Sequence, residues 1–87
     1  MVTEYIIQDA SIKYTGSRNP IEEGLLYSAE TAELSAIKWA RKLVNAVKFT
    51  DQNKAIEIAK QLQIELPVKI LVLNTEGNRI GVGEVKF

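Results

Sequence analysis

"PVKILVLNTEGNRIGVGEVKF", residues 67–87, predicts a β-hairpin and with it an antiparallel sheet. Apolar residues occupy both even and odd positions from 68 to 73, which is typical of a central strand that is covered on both faces. The Glu-Gly-Asn sequence at 76–78 supplies turn residues that tolerate a positive φ angle. A second apolar run follows the turn. The stretch therefore predicts two adjacent antiparallel strands.

The second strand of this hairpin contains a change of phase. Ile80 and Val82 share one face, whereas Val85 and Phe87 belong to the opposite phase. Gly83 lies where the phase changes, and the sequence therefore predicts a β-bulge there. The glycines of the hairpin precede no predicted helix, so we do not expect them to bind phosphate.

A helix is predicted from Thr50 onward. Thr50 is expected to accept hydrogen bonds from free amides as the N-cap, and Asp51 places a negative charge at the positive end of the helix dipole. Pro67 restricts Leu66 to an extended conformation, so the helix is expected to end by about Ile64. The predicted apolar stripe consists of Ala55, Ile56, Ala59 and Leu62.

The first third of the chain predicts further strands. Strands are expected near 3–8 and 11–15, where β-branched and aromatic residues are frequent. A loop at 16–24, rich in Gly, Ser, Asn and Pro, precedes a further short strand at 25–28. These elements predict an α+β fold with an antiparallel sheet of about four or five strands and one or two helices packed on one face.

Residues 29–48 admit two interpretations. Apolar residues recur there at spacings of three and four among good helix formers, which favours an amphipathic helix. The alternative is a strand through Ile37 and Trp39, followed by one short helical turn that ends before Phe49. In either case we expect Phe49 to anchor the chain in the core.

Composition narrows the class of protein. We expect a single domain over residues 1–87, because a chain of 87 residues supports only one hydrophobic core. The sequence has no cysteine and no histidine, which excludes thiolate chemistry, imidazole catalysis and the usual zinc ligands. No stretch approaches the roughly 18 apolar residues that a membrane helix needs. We therefore expect a soluble, cytoplasmic, non-enzymatic protein with no catalytic residue, metal or cofactor.

Charge is segregated along a chain whose formal net charge is +0. Residues 1–33 carry six acids against two bases, whereas residues 34–50 carry four bases and no acid. Basic residues around a tryptophan can neutralise phosphate and stack on a base. The candidate contacts to a partner or to nucleic acid in this basic segment 38–48 are Lys38, Trp39, Arg41, Lys42 and Lys48. The competing interpretation is a solvated helix flank, with Trp39 as a core anchor.

One spacing in the chain resembles a known pattern. The pattern W-x9-F-T-D-x3-A-x3-A runs through Trp39, Phe49, Thr50, Asp51, Ala55 and Ala59. It is similar to small uncharacterised phage and prophage proteins of Gram-positive bacteria, which also open with a strand like "EYIIQD". The similarity covers residues 36–62 and does not extend to the hairpin at 65–87.

The resemblance implies a phage-encoded accessory protein that acts inside a bacterial host, in a family with no established activity. It carries over no catalytic residue, since the matching positions are a core aromatic, a helix cap and alanines on a helix face. It also favours the strand-and-turn interpretation of residues 36–48.

The function predicted from the sequence is therefore that of a non-catalytic protein-binding module. Separated charges offer electrostatic complementarity between two copies or with another protein, and small mixed domains expose sheet edges. Self-association as a homodimer through a sheet edge is one form of this prediction. The alternative is nucleic-acid binding through the basic segment 38–48, and an enzyme is the third class.

Overall fold

The computed structural model describes residues 1–11, 26–27, 39–40, 42–64 and 66–87. Its elements in chain order are β1 (Val2–Asp9), β2 (Leu26–Tyr27), β3 (Trp39–Ala40), a 3₁₀ helix (Leu43–Asn45), α1 (Gln52–Leu62), β4 (Val68–Glu76) and β5 (Arg79–Val85). The predicted α+β fold is confirmed. Apart from Ser11, the strand predicted at 11–15 lies outside the described residues.

The strands form one antiparallel sheet in the order β3-β2-β1-β4-β5. β1 lies at its centre and pairs with β4 over eight consecutive residue pairs, from Val2 opposite Thr75 to Asp9 opposite Val68. β4 and β5 form the predicted hairpin. Because β1 and β4 carry apolar side chains at successive positions, both faces of the sheet are hydrophobic at its centre.

α1 packs against β1 and β4 on one side of the sheet, which we call the helix face. Ile7 and Ile70 lie directly opposite each other on this face, and both are fully buried. Burial of an aliphatic side chain of this size stabilises the fold by roughly 1.5–3 kcal/mol. The buried residues of this cluster are Ile7, Tyr27, Ala55, Ile58, Ala59, Leu62, Val68 and Ile70.

The other side of the sheet, the second face, has its own apolar cluster. Ile6 and Leu71 are a cross-strand pair on it, and both are buried. The cluster comprises Ile6, Leu26, Ala46, Leu71 and Leu73, with Leu43 and Val82 packed against it. β1 and β4 therefore contribute to two cores, as their continuous apolar runs require.

α1 starts one residue later than predicted. Asp51, and not Thr50, is the N-cap: Asp51 has an extended backbone, and its carboxylate accepts a hydrogen bond from the Asn53 N–H at 2.9 Å. Thr50 is exposed. A carboxylate is a stronger acceptor for free amides than a hydroxyl, which explains why the cap falls on the aspartate.

The apolar stripe of α1 also differs by one residue from the prediction. The buried positions are Ala55, Ile58, Ala59 and Leu62, with the spacing of a single helix face. Ile56 lies about 100° round the helix from Ala55 and is only partly buried. The prediction wrongly placed Ile56 in the stripe and omitted Ile58.

The preferred helix over residues 29–48 is wrong from Trp39 onward. Trp39 and Ala40 form β3, and a 3₁₀ helix at Leu43–Asn45 is followed by extended chain at Ala46. The strand-and-turn alternative is therefore correct for the described part of this stretch, whereas residues 29–38 lie outside it. Strand pairing of Trp39 opposite Tyr27 prevails here over helix propensity.

β5 contains no bulge, contrary to the prediction. Its pairing with β4 advances one residue at a time from Glu76 opposite Arg79 to Ile70 opposite Val85. The change of phase at Gly83 instead reflects a strand with apolar residues on both faces, since Val82 packs in the second-face cluster and Val85 in the helix-face cluster.

The hairpin turn is a two-residue loop, Gly77-Asn78. Gly77 has a φ of 60° and Asn78 has a negative φ, which is the sign pattern of a type II′ turn with glycine first. Within the described ranges, no helix is both long enough and apolar enough to cross a membrane.

Candidate functional site

The predicted basic segment 38–48 is only partly described, because Lys38 and Arg41 lie outside the described residues. Trp39 is half-buried, and its ring meets the ring of Tyr27 edge to face with centroids 6.1 Å apart and an interplanar angle of 73°. Both rings belong to the helix-face cluster. Trp39 therefore serves as an anchor of β3 in the core.

Lys48 and Lys42 differ in their surroundings. The Lys48 ammonium donates hydrogen bonds to the carbonyl oxygens of Leu43 at 2.8 Å and Ala46 at 3.3 Å, which lie at the 3₁₀ helix. Lys48 is half-buried, whereas Lys42 is exposed. Of these two lysines, Lys48 therefore has an internal structural role and Lys42 is the one that faces solvent.

The other residues that the sequence singled out have structural roles. Phe49 exchanges backbone hydrogen bonds with Tyr5, and its half-buried side chain packs on the helix-face cluster. Ala55 and Ala59 are fully buried, which lets α1 approach the sheet closely. Thr50 is exposed, and Asp51 caps α1 as described above.

Reactive groups are sparse in what the structure describes. Burial raises the pKa of the Tyr27 phenol above its ordinary value, because desolvation disfavours the phenolate. Tyr27 is 2% exposed, so a substrate has no access to it. Across the described ranges, no group of three or more Asp, Glu, His or Cys side chains is placed to hold a metal ion.

The outer edge of β5 is an open feature of the described structure. β5 pairs with β4 on one side and is the last strand in the sheet order, so its other edge has no strand partner among the described residues. Ile80 is 50% exposed, and Arg79, Gly81 and Glu84 are also exposed. This edge is therefore accessible to solvent along most of its length.

Hydrogen bonds at the centre of the sheet determine which groups of β5 face outward. The Tyr5 N–H donates to the Phe49 carbonyl at 2.7 Å, and the Phe49 N–H donates to the Tyr5 carbonyl at 2.8 Å. The N–H and C=O groups of Tyr5 therefore point away from β4. Val72 lies opposite Tyr5 on β4, so the N–H and C=O groups of Val72 point toward β5, where Val72 pairs with Gly83. The backbone groups of Gly83 point back toward β4. Because this direction alternates from residue to residue along a strand, the N–H and C=O groups of Ile80, Val82 and Glu84 point outward, away from β4.

The side chains of the same residues lie on the second face. Ile80 is opposite Thr75, which is in turn opposite Val2, so these three form one row across the sheet. Val2 is 56% exposed and Met1 is 84% exposed. The row continues beside Val82 and Leu73 toward the buried second-face cluster. The open backbone edge therefore adjoins the exposed side chain of Ile80, and exposed Val2 lies two strands away in the same row.

β5 lacks several of the features that commonly protect an edge strand. Natural edges are blocked by proline, by charged side chains and lysine above all, by bulges, by short length or by a covering segment. β5 has seven residues in regular register, with neither proline nor lysine, and its charged residues are Arg79 and Glu84. A shallow groove of about 280 Å³ with mixed polar and apolar lining, including Gln63, Val85 and Phe87, lies at the far end of the strand.

Sequence reasoning identified the hairpin but did not select Ile80, Val82 and Glu84 as contacts. The sequence does carry a signal for this edge: a strand after a tight turn, apolar at 80 and 82, with neither proline nor lysine. The expected bulge at Gly83 argued against a binding edge, because a bulge would have interrupted the regular row of backbone groups along β5. Comparisons of the chain with protein-family models, with curated proteins and with solved structures found no match.

Proposed function

We propose that this protein is a small non-catalytic protein-binding module that receives an additional β-strand along the outer edge of β5. The observation that carries the proposal is the accessible edge at which Ile80, Val82 and Glu84 direct their backbone groups away from β4. Strand addition of this kind takes its affinity from main-chain hydrogen bonds and its specificity from alternate side chains.

The energetics of the edge are compatible with specific binding. Each main-chain hydrogen bond contributes roughly 0.5–1.5 kcal/mol net, and the three outward residues can form up to about six such bonds with an antiparallel strand. Ile80 adds apolar surface on the second face, where an incoming strand would bury part of it. The module needs no catalytic residue or cofactor for this role.

The cellular setting in this proposal is the cytoplasm of a bacterial host, where the chain acts as a phage or prophage accessory protein. It is supported by the resemblance of residues 36–62 to proteins of that kind. The internal hydrogen bonds of Lys48 and the core position of Trp39 favour the sheet edge over the basic segment 38–48 as the contact surface.

A matched pair of substitutions at Glu84 tests the proposal. Glu84→Pro removes an outward N–H without touching the bonds between β4 and β5, and Glu84→Ala removes the same side chain while keeping that N–H. Both variants are first compared with the wild type by circular dichroism and thermal unfolding. Immobilised protein is then used to capture binding proteins, including tagged copies of this chain, from a bacterial lysate.

Glu84→Ala is expected to retain proteins that Glu84→Pro loses, because it keeps the outward N–H. If a folded Glu84→Pro variant retains the full set, the β5 edge is not the binding surface.

A further inference from the structure

Building on the proposed function, we infer that the strand received at the β5 edge is β5 of a second copy of this chain. The two β5 strands lie antiparallel about a two-fold axis at Val82. This arrangement places Val82 opposite its own counterpart and Ile80 opposite Glu84 of the other copy. It joins the two sheets into one continuous antiparallel sheet.

The alternation of backbone groups limits the possible registers. Only outward residues can exchange hydrogen bonds across the new interface, so Ile80, Val82 and Glu84 must pair with one another or with a residue beyond the strand. An axis at Val82 pairs all of them within β5. An axis at Gly81 leaves Glu84 opposite Asn78, which lies in the hairpin turn.

Charge separates the remaining registers. An axis at Gly83 makes the Glu84 carboxylates of the two copies diagonal neighbours on one face, and an axis at Glu84 places them directly opposite, where like charges are destabilising. With the axis at Val82, the two Glu84 positions lie about 14 Å apart along the strands. The Arg79 end of each strand then lies beside the Glu84 end of the other, so unlike charges meet at each end of the interface, on opposite faces of the sheet.

The side chains also suit a second copy. On the second face, Val82 meets Val82, and the half-exposed Ile80 lies against the stem of Glu84 of the other copy. On the helix face, Gly81 lies opposite Gly83 of the other copy, so no side chain obstructs the approach of the two backbones. The formal net charge of +0 leaves no overall repulsion between copies.

Cysteine cross-linking tests the register directly, because the chain has no cysteine of its own. We would prepare Ile80→Cys and Glu84→Cys as separate proteins and oxidise each alone and in an equal mixture. A hydrogen-bonded pair has Cα atoms about 5.5 Å apart, within disulfide range, whereas positions four residues out of register are not. The mixture is expected to yield a covalent dimer and each variant alone is not.

Two outcomes would overturn the inference. The first is a mixture that cross-links no better than either variant alone. The second is preferential cross-linking of Glu84→Cys with Val82→Cys, which would place the axis at Gly83. Both readouts are independent of which other proteins the chain binds.

Sedimentation at several concentrations separates this inference from the proposed function. The wild type is expected to dimerise. Glu84→Pro is expected to raise the dissociation constant by roughly 10-fold or more relative to Glu84→Ala, which lacks the same side chain, since two main-chain hydrogen bonds per dimer are lost. A strictly monomeric wild type that still captures other proteins through the edge overturns the inference alone. A Glu84→Pro variant that dimerises as tightly as the wild type also overturns the inference alone. Both proposals are overturned if this variant in addition retains every protein that the wild type captures.

Discussion

Tyr5 and Phe49 exchange both of their backbone hydrogen bonds, at 2.7 and 2.8 Å. This pair attaches the segment between the 3₁₀ helix and α1 to the side of β1 that does not face β4. It continues the pairing that β2 makes with β1 at Gln8, so β1 has neighbours on both sides at Tyr5 and at Gln8. The entry into α1 is therefore fixed by the sheet before the helix begins.

Phe49→Ala tests how much the side chain adds to this backbone attachment. Phe49 is half-buried and packs on the helix-face cluster, while its two backbone bonds are independent of the side chain. Full burial would predict a loss of roughly 3–5 kcal/mol, so partial burial predicts about 1–3 kcal/mol. Urea unfolding measures it, and a loss below about 0.5 kcal/mol would contradict the packing described here.

Asp51→Ala tests the observed N-cap of α1. Loss of the carboxylate that accepts from the Asn53 N–H is expected to cost about 1 kcal/mol, and Asp51→Asn should restore most of it, since asparagine is an equally good cap. Thr50→Ala is the matched control and should change the free energy of unfolding by less than about 0.5 kcal/mol, because Thr50 is exposed. A larger effect at Thr50 than at Asp51 would return the cap to the position predicted from the sequence.

Ile58→Ala and Ile56→Ala distinguish the two versions of the apolar stripe. Ile58 is 2% exposed, so its truncation is expected to cost about 2–5 kcal/mol. Ile56 is only partly buried on the flank of the helix, and its truncation should cost clearly less. Thermal unfolding of both variants gives the order, and equal losses would contradict the observed orientation of α1.

The fold was predictable wherever one pattern dominated. The hairpin at 67–87 and the strand at 3–8 followed from continuous β-branched and apolar runs, and the helix between them followed from a cap and a period of 3.6. Around Trp39 the pattern was ambiguous, because residues spaced three and four apart can equally face a core from a strand and a turn. The deciding contact, Trp39 with Tyr27 across β3 and β2, joins residues whose pairing no local pattern specifies.

The candidate edge was harder to predict than the hairpin that carries it. Which side of β5 is open depends on the order of strands in the sheet. Which residues of β5 point their backbone N–H and C=O groups outward follows from the register across β1, β4 and β5 and from the hydrogen bonds between Tyr5 and Phe49. Both are long-range properties. The basic segment 38–48, in contrast, was recognisable in the sequence as a cluster of positive charges. In the structure, however, the Lys48 ammonium donates hydrogen bonds to backbone carbonyls.

Lys48→Gln and Lys42→Gln test this difference between the two lysines. Removing the Lys48 ammonium deprives the Leu43 and Ala46 carbonyls of a donor, which is expected to cost about 1 kcal/mol, whereas the change at exposed Lys42 should stay within about 0.5 kcal/mol. Both are measured by urea unfolding. A stable Lys48→Gln variant that loses binding to a labelled oligonucleotide at low salt would instead support the nucleic-acid alternative.

Gly83→Ala and Gly81→Ala form a matched pair on the same face of β5. A Cβ at Gly83 would lie 3.1 Å from Val72 Cγ1, and valine has little rotamer freedom to yield, so Gly83→Ala is expected to cost about 1 kcal/mol. At Gly81 the nearest atom is the Asn74 carbonyl oxygen at 3.8 Å, an ordinary contact, and the lower entropy of the unfolded chain should stabilise Gly81→Ala by about 0.5 kcal/mol. Urea unfolding of both variants gives the sign at each position. Equal stabilisation by both would mean that Val72 and Gly83 lie further apart than the 3.1 Å contact indicates.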